Sequence, residues 1–144
     1  MMKNMFVKSL LLSSLALSLN ADFIRDNTKL VVNDTKTGLM WQDDAVGSTM
    51  TWANAITTCE NLTLGGYSDW RLPNIRELKS IVDKTRANPA ISPNFTVIAS
   101  NYYWSSTTHA SVSSGAWVVY FGNGNDAWGD KAGSYYVRCV RAGQ

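Results

Sequence analysis

Histidine occurs once, cysteine twice and proline three times in the 144 residues. A single imidazole, His109, and the lack of any cysteine cluster leave no ligand set for a zinc site. His109 stands in the polar stretch Ser105–Ser111. Hydroxyls are so frequent there that a serine–histidine pairing carries no information, and His109 is expected to be an exposed loop residue rather than a general base. No enzymatic activity is expected. Charge is also scarce: 17% of the residues are charged, with 13 basic against 11 acidic. No basic stretch marks a nucleic-acid footprint.

Long apolar runs are missing as well, except near the start. Lys3 and Lys8 precede the apolar run Ser9–Leu19, which is followed by Asn20-Ala21-Asp22. A basic segment, a short apolar segment and a small residue form the pattern of a signal peptide. The run is well short of the roughly 20 residues that span a bilayer. The sequence therefore divides into a signal peptide, 1–21, and a single domain, 22–144, exported to the periplasm or the cell surface. Removing Lys3 and Lys8 brings the basic residues level with the acidic ones, so the small positive charge belongs to the targeting segment. In an oxidising compartment, Cys59 and Cys139 are expected to form a disulfide, with two buried thiols as the alternative. Closing a loop of about 80 residues is worth on the order of 4–5 kcal/mol in the chain-entropy model.

What is abundant is aromatic: six tryptophans and six tyrosines. Lys29–Val32 and Leu39–Gln42 flank a turn cluster ending in Gly38, which reads as a hairpin. From Thr51, a candidate N-cap, the residues Trp52, Ile56, Cys59 and Leu62 recur at helical spacing and place Cys59 on the buried face. Asn74 and Glu77 form a capping-box pattern that opens a second helix, with Ile75, Leu78 and Val82 facing inward and Lys79 and Lys84 toward its C-terminal half. Residues 102–106, 116–121 and 135–140 are aromatic and β-branched and are expected to be strands. Between the last two, Gly122–Ser134 reads as a glycine-rich polar loop carrying Trp128. The order predicts an α+β domain with an antiparallel sheet and two helices.

Several segments together resemble a known family. They are Thr37–Trp41, the Trp52–Cys59 helix, Gly66–Asn74, Tyr103–Ser106 and Tyr136–Arg141. In this order they are similar to the bacterial family named after the C-terminal domain of the Legionella collagen-like adhesin, over about residues 30–142. The resemblance implies a compact C-type-lectin-like domain in which a cysteine of the first helix is bridged to one of the last strand, the places held here by Cys59 and Cys139. Arg71-Leu72-Pro73 and Arg138–Arg141 also resemble the formylglycine-generating-enzyme family. The cysteine pair of that family's oxidase centre does not match the positions here.

Trp41, Trp52, Trp70 and Trp117 are expected to pack in the core, because aromatic side chains of this size dominate small cores. Arg71 and Arg138 are expected to be framework residues, paired with acids such as Asp69 or with backbone carbonyls. Trp128 differs in standing among Asn123, Asn125, Asp126, Asp130 and Lys131. An indole covers the apolar face of a sugar ring while amide, carboxylate and ammonium groups bond its hydroxyls. These residues, with Trp104, form the candidate ligand site, and the alternative for Trp128 is a plug over the sheet. Calcium is the one cofactor that the oxygen ligands of Asn123, Asn125, Asp126 and Asp130 suggest, although their spacing is not that of an EF-hand and the Glu-Pro-Asn and Gln-Pro-Asp triplets of calcium-dependent lectins are absent. No resident cofactor is expected. The expected role is that of an adhesin-like binding module for carbohydrate or another surface polymer, with a protein-binding envelope or fimbrial subunit as the alternative and an oxidase of the formylglycine-generating kind behind both.

Overall fold

A computed structural model describes residues 23–143. The expected signal peptide and its cleavage point lie outside these residues. Two antiparallel sheets and two helices form the framework, so the α+β expectation holds. The first sheet has the order β1 (Phe23–Asp26), β2 (Val31–Asp34), β3 (Leu39–Gln42), β7 (Val140–Ala142). The second has the order β4 (Tyr102–His109), β5 (Val112–Tyr120), β6 (Asn125–Asp130). Among the described residues no helix is long and apolar enough to cross a membrane.

The predicted hairpin is β2–β3. The buried Asp34 carboxylate closes its turn by accepting from the backbone N–H groups of Lys36 and Thr37 and from the Thr37 hydroxyl. Gly38, at φ +73°, supplies the left-handed residue at the end of the turn. Strand β1 was not foreseen. Its four residues, FIRD, set two apolar side chains before two charged ones and so show no strand alternation, and β1 is held by tertiary contacts instead. The Phe23 ring meets Phe95 edge-on at 5.4 Å, and Arg25 pairs with the buried Asp43. Asp43 also accepts from Arg138 at 2.8 Å and from the backbone N–H groups of Thr96 and Val97, so one carboxylate fastens three distant segments. Burial pushes the pKa of Arg138 down.

Helix α1 (Trp52–Glu60) buries Ala55 and Cys59; Thr51 holds the N-cap position but makes no side-chain cap bond. Helix α2 (Ile75–Ser80) carries the full capping box, with Asn74 accepting from the Glu77 N–H at 2.8 Å and Glu77 accepting from the Asn74 N–H at 2.9 Å. The helix is shorter than its apolar stripe suggests. Ile81 is the C-cap, so Val82 and Lys84 lie beyond it, and Val82 forms a bridge with Ile91.

Successive residues of the strands enter two different cores. Val31, Met40, Trp104 and Val118 join Ala55, Cys59 and Trp70 in one; Val32, Trp41, Tyr103 and Val119 join Leu78, Ile81 and Phe121 in the other. Burial on both faces explains why these strands read as continuous apolar runs rather than alternating ones. The disulfide between Cys59 and Cys139 lies in the first core and joins residues 80 apart in sequence.

Two expectations for the C-terminal third are corrected. Residues 135–139 are not a regular strand: Tyr135 bridges Met50, Tyr136 bridges Tyr103 in parallel, and only Val140–Ala142 joins a sheet. The segment 122–134 is not a loop, because six of its residues form β6, paired with β5 from Gly115↔Asp130 to Tyr120↔Asn125. A tight turn closes this hairpin. The Gly124 N–H donates to the Tyr120 carbonyl at 2.7 Å, with Gly124 at φ +81°.

Candidate functional site

The β5–β6 hairpin decides where the expected ligand residues stand. Side chains alternate along a strand and directly paired residues share a face. Asp126, Trp128 and Asp130 therefore project from one face of β6, and Trp128 stands opposite Trp117 of β5. Helix α2 packs its Leu78 with Tyr103 and Val119 on this same face. The end of the face beyond them carries Trp117, Trp128 and His109.

Trp128 is 50% exposed. Its six-membered ring lies over Gly115: a Cβ added there would come within 2.7 Å of Cε3, so the glycine provides the space for the indole to rest against the sheet. His109, at the end of β4, touches both tryptophans, with ring centroids 4.8 Å from Trp117 and 5.7 Å from Trp128. Its Nδ1 accepts from the Ser111 N–H, which fixes the ring across the hairpin turn. Three aromatic rings thus share one end of the sheet surface.

His109 is accordingly a half-buried strand-end residue packed on tryptophan, not the exposed loop residue expected. Trp117 is half-buried at the end of this face that α2 leaves uncovered, rather than in the core. Trp104 moves the other way. It is fully buried, its indole N–H donates to the Met50 carbonyl at 2.8 Å and its ring packs edge-on against Tyr135, so it is a core residue and leaves the ligand set. Trp41 and Trp70 are core residues, as expected, and Trp52 packs at the core edge.

The polar groups expected around Trp128 are largely engaged elsewhere. Asp126 accepts from Lys79 of α2 at 2.7 Å, and this bond holds its carboxyl below the usual carboxylate range. Asp130 accepts from the Ala132 N–H and Asn123 from the Asn125 N–H. Asn125 is exposed and alternates to the opposite face of β6 from Trp128. Lys131 donates to the Thr108 hydroxyl and the Ser113 carbonyl, and its ammonium sits 4.1 Å from the centre of the Trp52 ring. Of the residues considered for calcium, Asn123, Asp126 and Asp130 thus serve turns and an ion pair. Among the described residues no group of three His, Cys, Asp or Glu side chains is placed to hold a metal ion.

The arginines of the family-like motifs have partners of their own. Arg71 makes a two-bond pair with Glu77, both at 2.7 Å. Burial raises the Glu77 pKa, but the bonds from Arg71 and the Asn74 N–H outweigh it and leave the carboxyl lowered. Asp69 pairs with Arg141, not Arg71; the Arg141 hydrogen bond lowers the Asp69 pKa, and the guanidinium lies 3.8 Å from the centre of the Tyr67 ring. Arg138 pairs with Asp43 and also donates to the carbonyls of Gln42 and Val97. All three arginines serve the framework.

One sequence signal could have found the aromatic face. Asn123-Gly124 is a strong hairpin-turn dipeptide; a two-residue turn on it would set Trp117 and Trp128 on one face, and the observed loop Phe121–Gly124 shifts the register by two so that they pair directly.

No curated protein matches the chain. Residues 30–141, well over half of the sequence, match the family described as the Lcl C-terminal domain. The matched stretch includes both helices, the disulfide and the three rings of the aromatic face, and the chain belongs to the Lcl C-terminal domain family.

Proposed function

We propose that this protein is an exported, non-catalytic, adhesin-like module that recognises a carbohydrate or another surface polymer through the end of the β4–β6 sheet that α2 leaves uncovered, at Trp128, Trp117 and His109. The observation that carries this reading is the half-exposed Trp128 indole resting on Gly115 beside two further rings. Three adjoining rings form a contiguous apolar patch, the kind of surface feature that marks an interaction site, whereas a single exposed side chain would not. Family membership fits an adhesin-like role. Because Asp126, Asp130 and Lys131 already have partners, recognition here rests on stacking more than on charge.

The lectin-like architecture implied by the resemblance accords with the two sheets and the helix-to-terminus disulfide. A second reading, a protein partner, draws on β6 being the outer strand of its sheet, where an extended segment can add a further strand. Asp126 and Asp130 on that edge disfavour it, since edge charges discourage strand addition.

The test is a glycan array probed with the purified protein and with Trp128→Ala. Binding that falls at least about tenfold, a loss of about 1.4 kcal/mol, with the melting temperature retained, supports the carbohydrate reading. Undiminished binding by the variant removes the aromatic face from the site.

A further inference from the structure

An open groove of about 690 Å³ lies between the β2–β3 turn, the segment following α2 and residues 92–94. Its volume falls in the range of small-ligand sites. None of Trp117, Trp128 and His109 lines it. Its walls carry two lysines, Lys36 and Lys84, and two aspartates, Asp34 and Asp83.

The formal charges balance, but the groups are not equally available. Asp34 is buried and its oxygens are bonded to the N–H groups of Lys36 and Thr37 and to the Thr37 hydroxyl. Asp83 accepts from the Thr85 hydroxyl at 2.6 Å and the Thr85 N–H at 2.9 Å, and these bonds, with the nearby charge of Arg86, lower its pKa. Asp34 is thus engaged through both oxygens, whereas Asp83 commits only Oδ1 to its turn and leaves one carboxylate oxygen at the groove against the two lysines. Lys36 and Lys84 are exposed, and neither ammonium group has a hydrogen-bond or ion-pair partner among the described residues; Lys84 adds only a longer-range attraction to Asp126.

The remaining lining is mixed. Ser80 donates its hydroxyl proton to the Glu77 carbonyl, which leaves its oxygen able to accept. Phe23 and Pro93 offer apolar surface beside it. Two unpaired ammonium groups, hydroxyl acceptors and an apolar patch suit a molecule with a carboxylate, hydroxyls and a hydrocarbon face.

We propose that this groove is a second binding site, separate from the aromatic face, that takes a small sugar acid with its carboxylate between Lys36 and Lys84. The site is independent of the carbohydrate reading for Trp128, and either can fail without the other.

Titration of D-glucuronate into the isotope-labelled protein tests it by backbone amide shifts. Saturable shifts are expected at Lys36, Ser80, Lys84 and Asn94. D-glucose, which lacks the charge, and acetate, which lacks the hydroxyls, should each bind at least about tenfold more weakly. The double variant Lys36→Gln/Lys84→Gln changes only exposed side chains, so it should keep its melting temperature and lose about tenfold or more in affinity. Lys36→Arg/Lys84→Arg keeps both charges and should retain binding. Trp128→Ala should leave the titration unchanged. The proposal is overturned if the groove amides do not shift saturably, if glucose or acetate matches glucuronate, if the double glutamine variant binds undiminished, or if Trp128→Ala abolishes the shifts.

Discussion

Trp104 and Trp128 stand on the two strands that flank β5 in one three-stranded sheet, yet they meet opposite surroundings. Trp104 points into the core shared with α1, where Tyr135 packs on its ring and Met50 takes its N–H. Trp128 points to the other face, past the area covered by α2, and rests on a glycine. Composition treats the two residues alike, and both read as candidate ligand contacts. What separates them is the pleat: which face a strand residue takes depends on register, and which face is covered depends on helices distant in the chain.

Substitutions can break or sharpen this contrast. Trp104→Ala should cost about 3–5 kcal/mol in urea unfolding, the range for truncating a large core aromatic. A loss below about 1 kcal/mol would mean that the two tryptophans are equivalent after all. Replacing Cys59 and Cys139 together by alanine should cost about 2–4 kcal/mol, because the bridge restrains the unfolded chain and both sulfurs lie in the core of Trp104 rather than on the Trp128 face. Glycan binding per folded molecule should be unchanged by it.

Acid should have a smaller effect. The carboxyls of Asp126, Asp69 and Glu77 are held below their ordinary values, chiefly through bonds from Lys79, Arg141 and Arg71. A depressed folded pKa contributes stability that is complete above the unfolded value, about pH 4, and is lost as pH falls through the folded one. Melting temperature should therefore be flat from pH 7 to about 5 and decline below about 4. The decline should be modest, since Asp69 and Asp126 are largely solvent-exposed and screened. Replacing these two by asparagine should flatten it.

The smallest change in stability belongs to the exposed tryptophan. Trp128→Ala should stay within about 1 kcal/mol of the parent protein. Gly115→Val sharpens the contrast from the other side, for its side chain would occupy the space under the indole and displace the ring. It should weaken glycan binding as Trp128→Ala does. Unchanged binding would show that the seat on Gly115 does not matter.

Much of the framework was legible because the signals are local. The Asn74–Glu77 capping box, the hairpin around Gly38 and the helical spacing that buries Cys59 each depend on residues a few positions apart, and all three stand in the structure as read. Strand β1 was not legible, since an Arg25 pairing with Asp43 has no short-range trace. The site was read only in part. Sequence points to Trp128 but not to Trp117 and His109 beside it, and it does not show that the ionic groups near Trp128 serve an ion pair and turns.

The sequence by itself determined the α+β class, the family, where both helices start and the two cysteines that join the first helix to the residue before the last strand. Those follow from propensity, spacing and chemistry that act over a few residues or at fixed points. Tertiary structure alone decided which tryptophan faces solvent, which acid meets which arginine, and that Lys36 and Lys84 share a groove. Pairs such as Lys79–Asp126 and Asp69–Arg141, 47 and 72 residues apart, form only when distant segments are brought to one surface, where burial and pairing leave some groups satisfied and others free.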